Sequence, residues 1–326
     1  AAMAGATGAA AQRRAAAPLP MAGVQKLKIH GYGVGSLTQP EEMADMCLRA
    51  GLDGLNVTVR PGRYIEPANV RRELPRFVNA IRARGLVVQC YTANIYDADT
   101  PHAEAIMDTA AQLGLHRYRS GTLYYDRTKP LQPQIEALKP RFAKLNKLLE
   151  KYDQNAMYHL YSDPNTVGAG VWDLMQVMKD YDPRHMSWHY DTGHAVAGRG
   201  LNTWQMDLRL LGPYIGGVSI KDMAFVPNEG AEAEAYLKDY RSGLAAQCPA
   251  DLGCTDTPGK WRKQWMKLGE GYVDLVKFGE ILKEIRFQGS VEMHLEYGGD
   301  ANEERIAAYA ADLKTLKAAW GPLGLV

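Results

Sequence analysis

Along this chain, short runs in which apolar and polar residues alternate with period two are each followed by a longer stretch whose apolar residues recur every three or four positions. The first pattern is that of a strand, and the second that of a helix with one buried stripe. Strands are predicted near 25–32, 54–60, 86–92, 116–121, 155–161, 186–191, 215–221 and 289–296. Helices are predicted near 39–50, 67–84, 101–113, 133–151, 170–180, 202–211, 275–285 and 301–319. Turn signals separate them: at Ala50-Gly51, Arg84-Gly85 and Leu113-Gly114 a glycine closes the preceding helix. Eight successive β/α units in one α/β chain predict a (β/α)8 barrel over residues 24–326, a single domain rather than an open sheet. Residues 223–272, rich in Gly, Pro, Trp and charge, interrupt the rhythm between the seventh strand and the seventh helix. Loops in that position lie on the catalytic face of such barrels, so a lid or substrate-binding insertion is expected.

The last predicted strand, Gly289 to Tyr297, has two chemically opposite faces: Val291, Met293 and Leu295 on one, Glu292, His294 and Glu296 on the other. Other strands end the same way. The second presents Asn56, Thr58 and Arg60 on one face, the third Gln89 and Tyr91, and the fourth Arg119. The fifth presents His159 and Tyr161, the sixth His189 and Asp191, and the seventh Ser219 and Lys221. A purely structural barrel interior favours branched apolar residues, and active sites of this fold sit at the C-terminal strand ends. His159, Asp191 and His294 therefore stand as candidate ligands of a divalent metal ion (Mn, Zn, Mg or Fe), in the imidazole and carboxylate mixture that such ions accept. The ion would polarise a sugar carbonyl or hydroxyl pair. Glu296 is the candidate base, with Lys221 or His194 stabilising an enediolate or moving a proton. Arg60, Tyr91, Arg119, Tyr161 and His189 are candidates for holding substrate. His30, His116 and His185 are expected to be hydrogen-bonded core histidines, Asp222 to cap a loop, and Tyr124 and Tyr125 to pack.

Composition narrows the partners. The 38 basic and 37 acidic side chains leave a net charge of +1, which makes no electrostatic case for nucleic acid or an anionic membrane, so a small carbohydrate is the expected partner and a homo-oligomer is compatible. Residues 1–23 are Ala/Gly-rich and without apolar periodicity, like the tail of an export signal followed by a linker. A periplasmic or secreted protein is the expectation, and a disordered cytosolic tail the alternative. Cys248 and Cys254 bracket a short loop and would close as a disulfide in an oxidising compartment, whereas Cys47 and Cys90 fall in core elements.

Four motifs carry a resemblance to the sugar phosphate isomerase/epimerase group of xylose isomerase-like TIM barrels. Tyr158-His-Leu-Tyr161 stands where that family often has Glu-Asn-His or His-Asn-His, and Tyr190-Asp-Thr-Gly-His194 matches its Asp-Thr-x-His segment. Val218-Ser-Ile-Lys-Asp222 stands where it has His-x-Lys-Asp, and Leu268-Gly-Glu-Gly-Tyr-Val-Asp274 matches its Gly-x-Gly turn before the last helix. The resemblance implies a metal held by Glu, Asp, His and Glu from the last four strands, positions that fall here on His159, Asp191, Ser219 and His294. Only Asp191 matches in kind, and Ser219 is a poor replacement for a histidine ligand. Taking Glu296 as the last ligand instead would shift the register by two residues on the same strand face. The His-x-Glu-Tyr of the last strand, Val59-Arg-Pro-Gly in the second and the export-like leader resemble an exported subgroup of the family.

The resemblance and the residues together imply a sugar isomerase or epimerase working by proton abstraction next to a carbonyl. The runner-up is a 3-keto-glycoside lyase of the same fold, whose β-elimination begins with the same abstraction. A non-catalytic sugar-binding barrel is the third reading, and phosphodiester cleavage is disfavoured by the absence of a basic excess.

Overall fold

The computed structural model of the chain describes residues 26–32, 35–163, 165–227, 261–298 and 302–326, with residues 229 and 234. The leader-like segment, Cys248 and Cys254 lie outside the described residues. Strands β1 (Ile29–Tyr32), β2 (Gly54–Leu55), β3 (Val57–Val59), β4 (Tyr91–Ala93), β5 (Arg117–Arg119), β6 (Asn155–His159), β7 (Met186–Asp191) and β8 (Ile215–Ile220) belong to one sheet. β9 (Asp222–Pro227) and β10 (Trp261–Met266) form a separate antiparallel ribbon, and β11 (Ser290–His294) returns to the main sheet. The main sheet runs β2-β1-β11-β8-β7-β6-β5-β4-β3, with every pairing parallel.

β2 and β3 are two halves of one stave, parted at Asn56, whose N–H donates to the Gly31 carbonyl. The first half pairs with β1 and the second with β4, and this closes the barrel of eight staves. Only glycine fits at the head of that stave, because a Cβ on Gly54 would lie 2.0 Å from the Val87 carbonyl oxygen.

The helices are α1 (Pro40–Ala50), α2 (Val70–Ala83), α3 (Ala103–Gln112), α4 (Leu131–Lys151), α5 (Trp172–Met178), α6 (Thr192–Leu211), α7 (Leu275–Glu284) and α8 (Asn302–Trp320). α1 shows why they form where they do. Pro40 opens it, Glu41 and Glu42 complement the dipole of its first turn, Met43, Ala44, Met46, Cys47 and Ala50 make its buried stripe, and Gly51 at φ 77° ends it. The stripes pack on the outside of the sheet around Trp188, Tyr190, Phe278 and Trp320, all fully buried; the rings of Tyr190 and Phe278 stack with centroids 6.0 Å apart. Among the described residues no helix is long and apolar enough to cross a membrane.

Two elements differ from expectation. α6 starts at Thr192, ten residues before the predicted helix, because the Asp191 side chain caps it by accepting from the His194 N–H at 2.9 Å. Gly200, at φ 70° and ψ −171°, then breaks the helix, so that only its second half carries the periodicity visible in the sequence. The third stave pairs as a ladder only over Tyr91–Ala93, with a single bridge from Val87 to Gly54 below it.

Candidate active site

The C-terminal ends of the staves converge on one polar mouth. Arg60 follows β3, Arg119 closes β5, His159 closes β6, Asp191 closes β7, Lys221 follows β8, and His294 and Glu296 come from the end of β11. β5, β6, β7, β8 and β11 are each hydrogen-bonded on both sides, so the backbone that carries their donor atoms cannot shift independently.

His159, Asp191 and His294, all buried, each offer a ligand atom within 4.8 Å of the others. Burial, helped by the charges of Arg119 and the neighbouring imidazoles, holds His159 well below the usual histidine range, so its ring is neutral and a lone pair is free for coordination. Burial opposes ionisation of Asp191, but the Lys221 ammonium and the neighbouring imidazoles outweigh it, and the carboxyl titrates below its ordinary value. The Nδ1 atoms of His159 and His294 are buried without a hydrogen-bond partner, and Asp191 Oδ2 has only ionic contacts, 3.3 Å from Lys221 Nζ and 3.3 Å from His159 Nε2. Unsatisfied donors of this kind, two imidazoles and one carboxylate around a small space, fit a divalent cation.

Lys221 sits over this set, 3.3 Å from Asp191 Oδ2 and 2.8 Å from Glu296 Oε1. Its side chain is 2% exposed, while that of Glu296 is 39% exposed and so opens toward substrate. Burial would raise the Glu296 carboxyl, but the His294 imidazole, 3.8 Å away, and the Lys221 charge prevail and bring it down to about 2. The Lys221 ammonium also lies 3.9 Å above the Trp265 ring. Gly193 makes room for both: a Cβ there would come within 2.7 Å of Trp265 and 2.9 Å of Lys221.

His194 closes one side of the mouth. Its Nδ1 accepts from the Ser162 backbone N–H at 3.1 Å, so the proton of the neutral ring is on Nε2. Burial and the Lys221 charge keep the ring neutral, well below the ordinary histidine value. On another side Arg119 stacks 4.0 Å from the centre of Tyr32, donates to Thr92 Oγ1 and reaches His159 Nε2 at 3.4 Å. Tyr32 in turn stacks on His294 with centroids 4.5 Å apart, and Tyr161 packs edge-on to His159 at 4.4 Å.

Beneath the mouth lies a sealed polar network built on Glu292, which is fully buried. Its Oε1 accepts from Asn56 Nδ2 at 2.5 Å and from Cys90 Sγ at 2.9 Å, and its Oε2 faces His294 Nε2 at 3.1 Å. Ser219 Oγ bridges His189 Nε2 at 2.7 Å and His294 Nε2 at 3.0 Å. Burial opposes the charge of Glu292, yet His189, the His294 hydrogen bond and Arg119 hold its carboxyl well below the usual range. Glu292 thereby fixes the His294 ring from behind, as carboxylates do behind ligating histidines.

Several expectations change. Tyr91 is not brought to the site: it is in register with Val57 and Tyr118 on the outer face of the sheet, stacks on Tyr118 at 5.5 Å and donates to Gln154 Oε1 at 2.9 Å. The inward residues of that stave are Cys90 and Thr92, which meet Glu292 and Asn56, so the third strand has the opposite parity to the one expected. His189 is enclosed in the lower network, where burial drives its ring down to about 3, and does not line the mouth. Of the histidines expected in the core, His30 is buried, His185 half-buried and His116 exposed, although each hydrogen-bonds a backbone carbonyl. Tyr124 is exposed, whereas Tyr125 is half-buried and bonds Asp173 at 2.7 Å. Asp222 does cap a loop: it accepts from the N–H groups of Met223, Gly269, Gly271 and Val273 and so ties the Gly-Glu-Gly turn to the rim.

Sequence reasoning missed Glu292, Tyr32, Trp265 and Lys263. The last two come from the ribbon at the base of the insertion, where Lys263 lies over Trp265 at 4.6 Å and pairs with Asp163 at 3.4 Å. Glu292 shares a face with His294 and Glu296, which is the signal that could have found it.

The chain belongs to the family described as xylose isomerase-like TIM barrel, whose model matches residues 44–319. No curated protein matches it by sequence. Among solved structures, it is similar to a 3-keto-D-glucoside 4-epimerase, YcjR, from E. coli, with TM-score 0.62, 15% identity, 90% of this chain and 100% of that one covered. It is also similar to the IolI protein with a bound zinc atom, at TM-score 0.61 and 13% identity over 91% of this chain and 99% of that one. A D-allulose 3-epimerase from Methylomonas sp. in complex with D-allulose superposes at TM-score 0.57 and 12% identity, covering 90% of this chain and 97% of that one. At these identities the likeness establishes the fold.

Proposed function

We propose that this barrel is a carbohydrate isomerase or epimerase that takes a proton from the carbon beside a carbonyl. The observation that carries the proposal is the Lys221–Glu296 pair, 2.8 Å apart and half open to solvent, set over the His159, Asp191 and His294 donors. Glu296 is the base. Its carboxylate is ionised at neutral pH but weakly basic while Lys221 holds it. When the substrate oxygen takes over the Lys221 ammonium, the part of the lowering that Lys221 supplies is weakened, and the basicity of Glu296 rises.

Glu296 then accepts the proton, the C–H electron pair forms a C=C bond, and the carbonyl pair moves onto oxygen. Lys221 and the Nε2–H of His194 hold that enediolate oxygen. Protonation of the opposite face of the same carbon by a second acid or by water, with Glu296 keeping the proton it took, gives an epimer; delivery of the Glu296 proton to the former carbonyl carbon, with a hydroxyl proton moving the other way, gives an isomer. His159, Asp191 and His294 would hold a divalent ion (Mn, Zn, Mg or Fe), which when bound supplies Lewis-acid polarisation of the substrate oxygens.

A second reading, 3-keto-glycoside cleavage by β-elimination, rests on the same first step. It is favoured by the His194 Nε2–H, a ready donor to a departing glycosidic oxygen, and by the fold likeness to a 3-keto-D-glucoside epimerase.

The test is deuterium uptake from heavy water into a panel of ketoses, aldoses and 3-keto-glycosides, followed by NMR. Exchange should occur with at least one sugar and fall about 100-fold or more in Glu296→Gln. Binding without exchange across the panel would leave only the sugar-binding barrel. Full exchange after exhaustive chelation would remove the metal from the proposal while leaving the base in place.

A further inference from the structure

Among the described residues, several arginines elsewhere sit beside carboxylates. Arg49 pairs with Glu303, Arg84 with Asp45, Arg184 with Asp182 and Arg209 with Glu284 on the surface, and Arg199 pairs with Asp207 in a buried contact of 2.6 Å. Arg60 and Arg119, at the mouth of the barrel, do not. Arg119 is buried, and its guanidinium is spent on Thr92, His159 and the face of Tyr32, none of them an anion. Arg60 is half-buried, its Nε is sealed from solvent without a partner, and among the described residues its guanidinium has neither a hydrogen bond nor an ion pair.

The two guanidinium groups are close enough that, after burial, the charge of Arg119 is the largest influence disfavouring the charge on Arg60. Both remain charged at any working pH. The Arg119 charge is favoured by the buried carboxylates Glu292 and Asp191, whereas among the described residues no carboxylate pairs with Arg60, and the nearby ones are engaged: Asp191 and Glu296 by Lys221, and Glu292 by Asn56, Cys90 and His294.

We propose that Arg60 and Arg119 form a subsite for an oxyanion carried by the carbohydrate, so that the substrate is a sugar acid. This deepens the function proposed above and rests on the same mouth. A hydroxyl group satisfies guanidinium hydrogen bonds but cannot neutralise their charge, whereas a carboxylate does both through paired N–H···O bonds. The subsite adjoins the reacting centre, because Tyr32 lies between Arg119 and His294, at 4.0 Å from the one and 4.5 Å from the other. The Tyr32 ring covers one face of the Arg119 guanidinium. The subsite is separate from Lys221, which the chemistry uses, so the acid group is a handle and the carbonyl reacts elsewhere on the same molecule.

The test measures binding by calorimetry on the metal-loaded Glu296→Gln protein, which removes turnover from the measurement. The probes are gluco-, galacto- and manno-uronates, the matching neutral hexoses, and the terminal phosphate esters of those hexoses. At least one uronate should bind about tenfold or more tightly than its neutral hexose, as expected for charge-assisted hydrogen bonds to a desolvated guanidinium. Arg60→Met should bring that ratio to about twofold or less, and Arg60→Lys should restore part of it. Circular dichroism on both variants separates loss of the subsite from loss of the fold.

Equal binding of uronate and hexose overturns the proposal, as does a ratio that survives Arg60→Met, or the failure of every probe to bind. Tighter binding of the phosphate esters than of the uronates overturns the sugar-acid assignment in favour of a sugar phosphate. Uronate selectivity without deuterium exchange in the wild-type protein would uphold the subsite and sink the isomerase; exchange on neutral sugars with no anion preference would do the reverse.

Discussion

Replacing Lys221 by Met removes one ammonium from a place where two carboxylates depend on it and keeps the aliphatic stem that packs on Trp265. At an effective dielectric constant of about 20, the 3.3 Å contact with Asp191 is worth about 5 kcal/mol and the 2.8 Å contact with Glu296 about 6 kcal/mol before desolvation. The Glu296 contact is shared with solvent, since that side chain is 39% exposed, and counts for about 1 kcal/mol, as surface pairs do. Release of the buried ammonium from its own desolvation offsets several kcal/mol of the Asp191 contact, but Asp191 is left charged and fully enclosed. The expected net loss is about 3–5 kcal/mol, a large share of a typical folding stability of about 5–15 kcal/mol.

Guanidinium denaturation at pH 7 of chelator-treated protein, extrapolated linearly, measures it, with chelation preventing a bound ion from neutralising Asp191 in place of the lysine. Adding Asp191→Asn should recover about 2 kcal/mol, because the stranded charge is then gone. A loss below about 1 kcal/mol for the single variant, or a double variant that is simply worse, would refute the account of Lys221 as the counter-ion of a buried carboxylate.

Three further outcomes follow from the same geometry. Gly193→Ala should lower activity and shift the Trp265 fluorescence, because the new Cβ would come within 2.9 Å of both Lys221 and Trp265; unchanged emission and rate would show that the pocket yields freely. Glu292→Gln should reduce divalent-metal affinity about 10–100-fold, the usual effect of losing a carboxylate behind a ligating histidine; unaltered metal content by elemental analysis would separate Glu292 from the function of His294. His30, buried and held below the ordinary histidine value chiefly by burial, contributes stability that is present above about pH 6.5 and is lost as the pH falls, because only the unfolded chain then takes up its proton. Between pH 7.5 and pH 5 the wild type should lose more stability than His30→Gln; parallel declines in urea midpoint would contradict a buried neutral ring.

The barrel was legible in the chain because helix and strand periodicities are local and survive in short windows. Gly51 ends its helix and β11 shows its two faces without any help from tertiary contacts. The convergence of His159, Asp191 and His294 was likewise readable, since in a closed parallel barrel every C-terminal strand end arrives at the same rim. Tyr91 escaped because its stave has a ladder of only three residues, and face parity there is set by pairing with β3 and β5 rather than by alternation. The start of α6 escaped because Gly193, Gly198 and Gly200 dilute the helical pattern, while the cap that begins the helix is also a site residue, Asp191. Trp265 and Lys263 lie in a segment whose sequence has no period at all, and they acquire meaning only where the ribbon leans over Lys221.

What the amino-acid sequence determined by itself was the succession of elements and the presence of titratable groups at their ends, because backbone propensity and side-chain alternation act over a few residues. The tertiary structure alone decided how those groups divide. Closure of the barrel places Lys221 between Asp191 and Glu296, seals Glu292 behind His294, and leaves the Arg60 guanidinium without a carboxylate partner among the described residues. Lys221 and Glu296 are 75 residues apart in the chain, and Glu292 and the Asn56 amide that bonds it 236, separations at which only the fold can bring one residue to another.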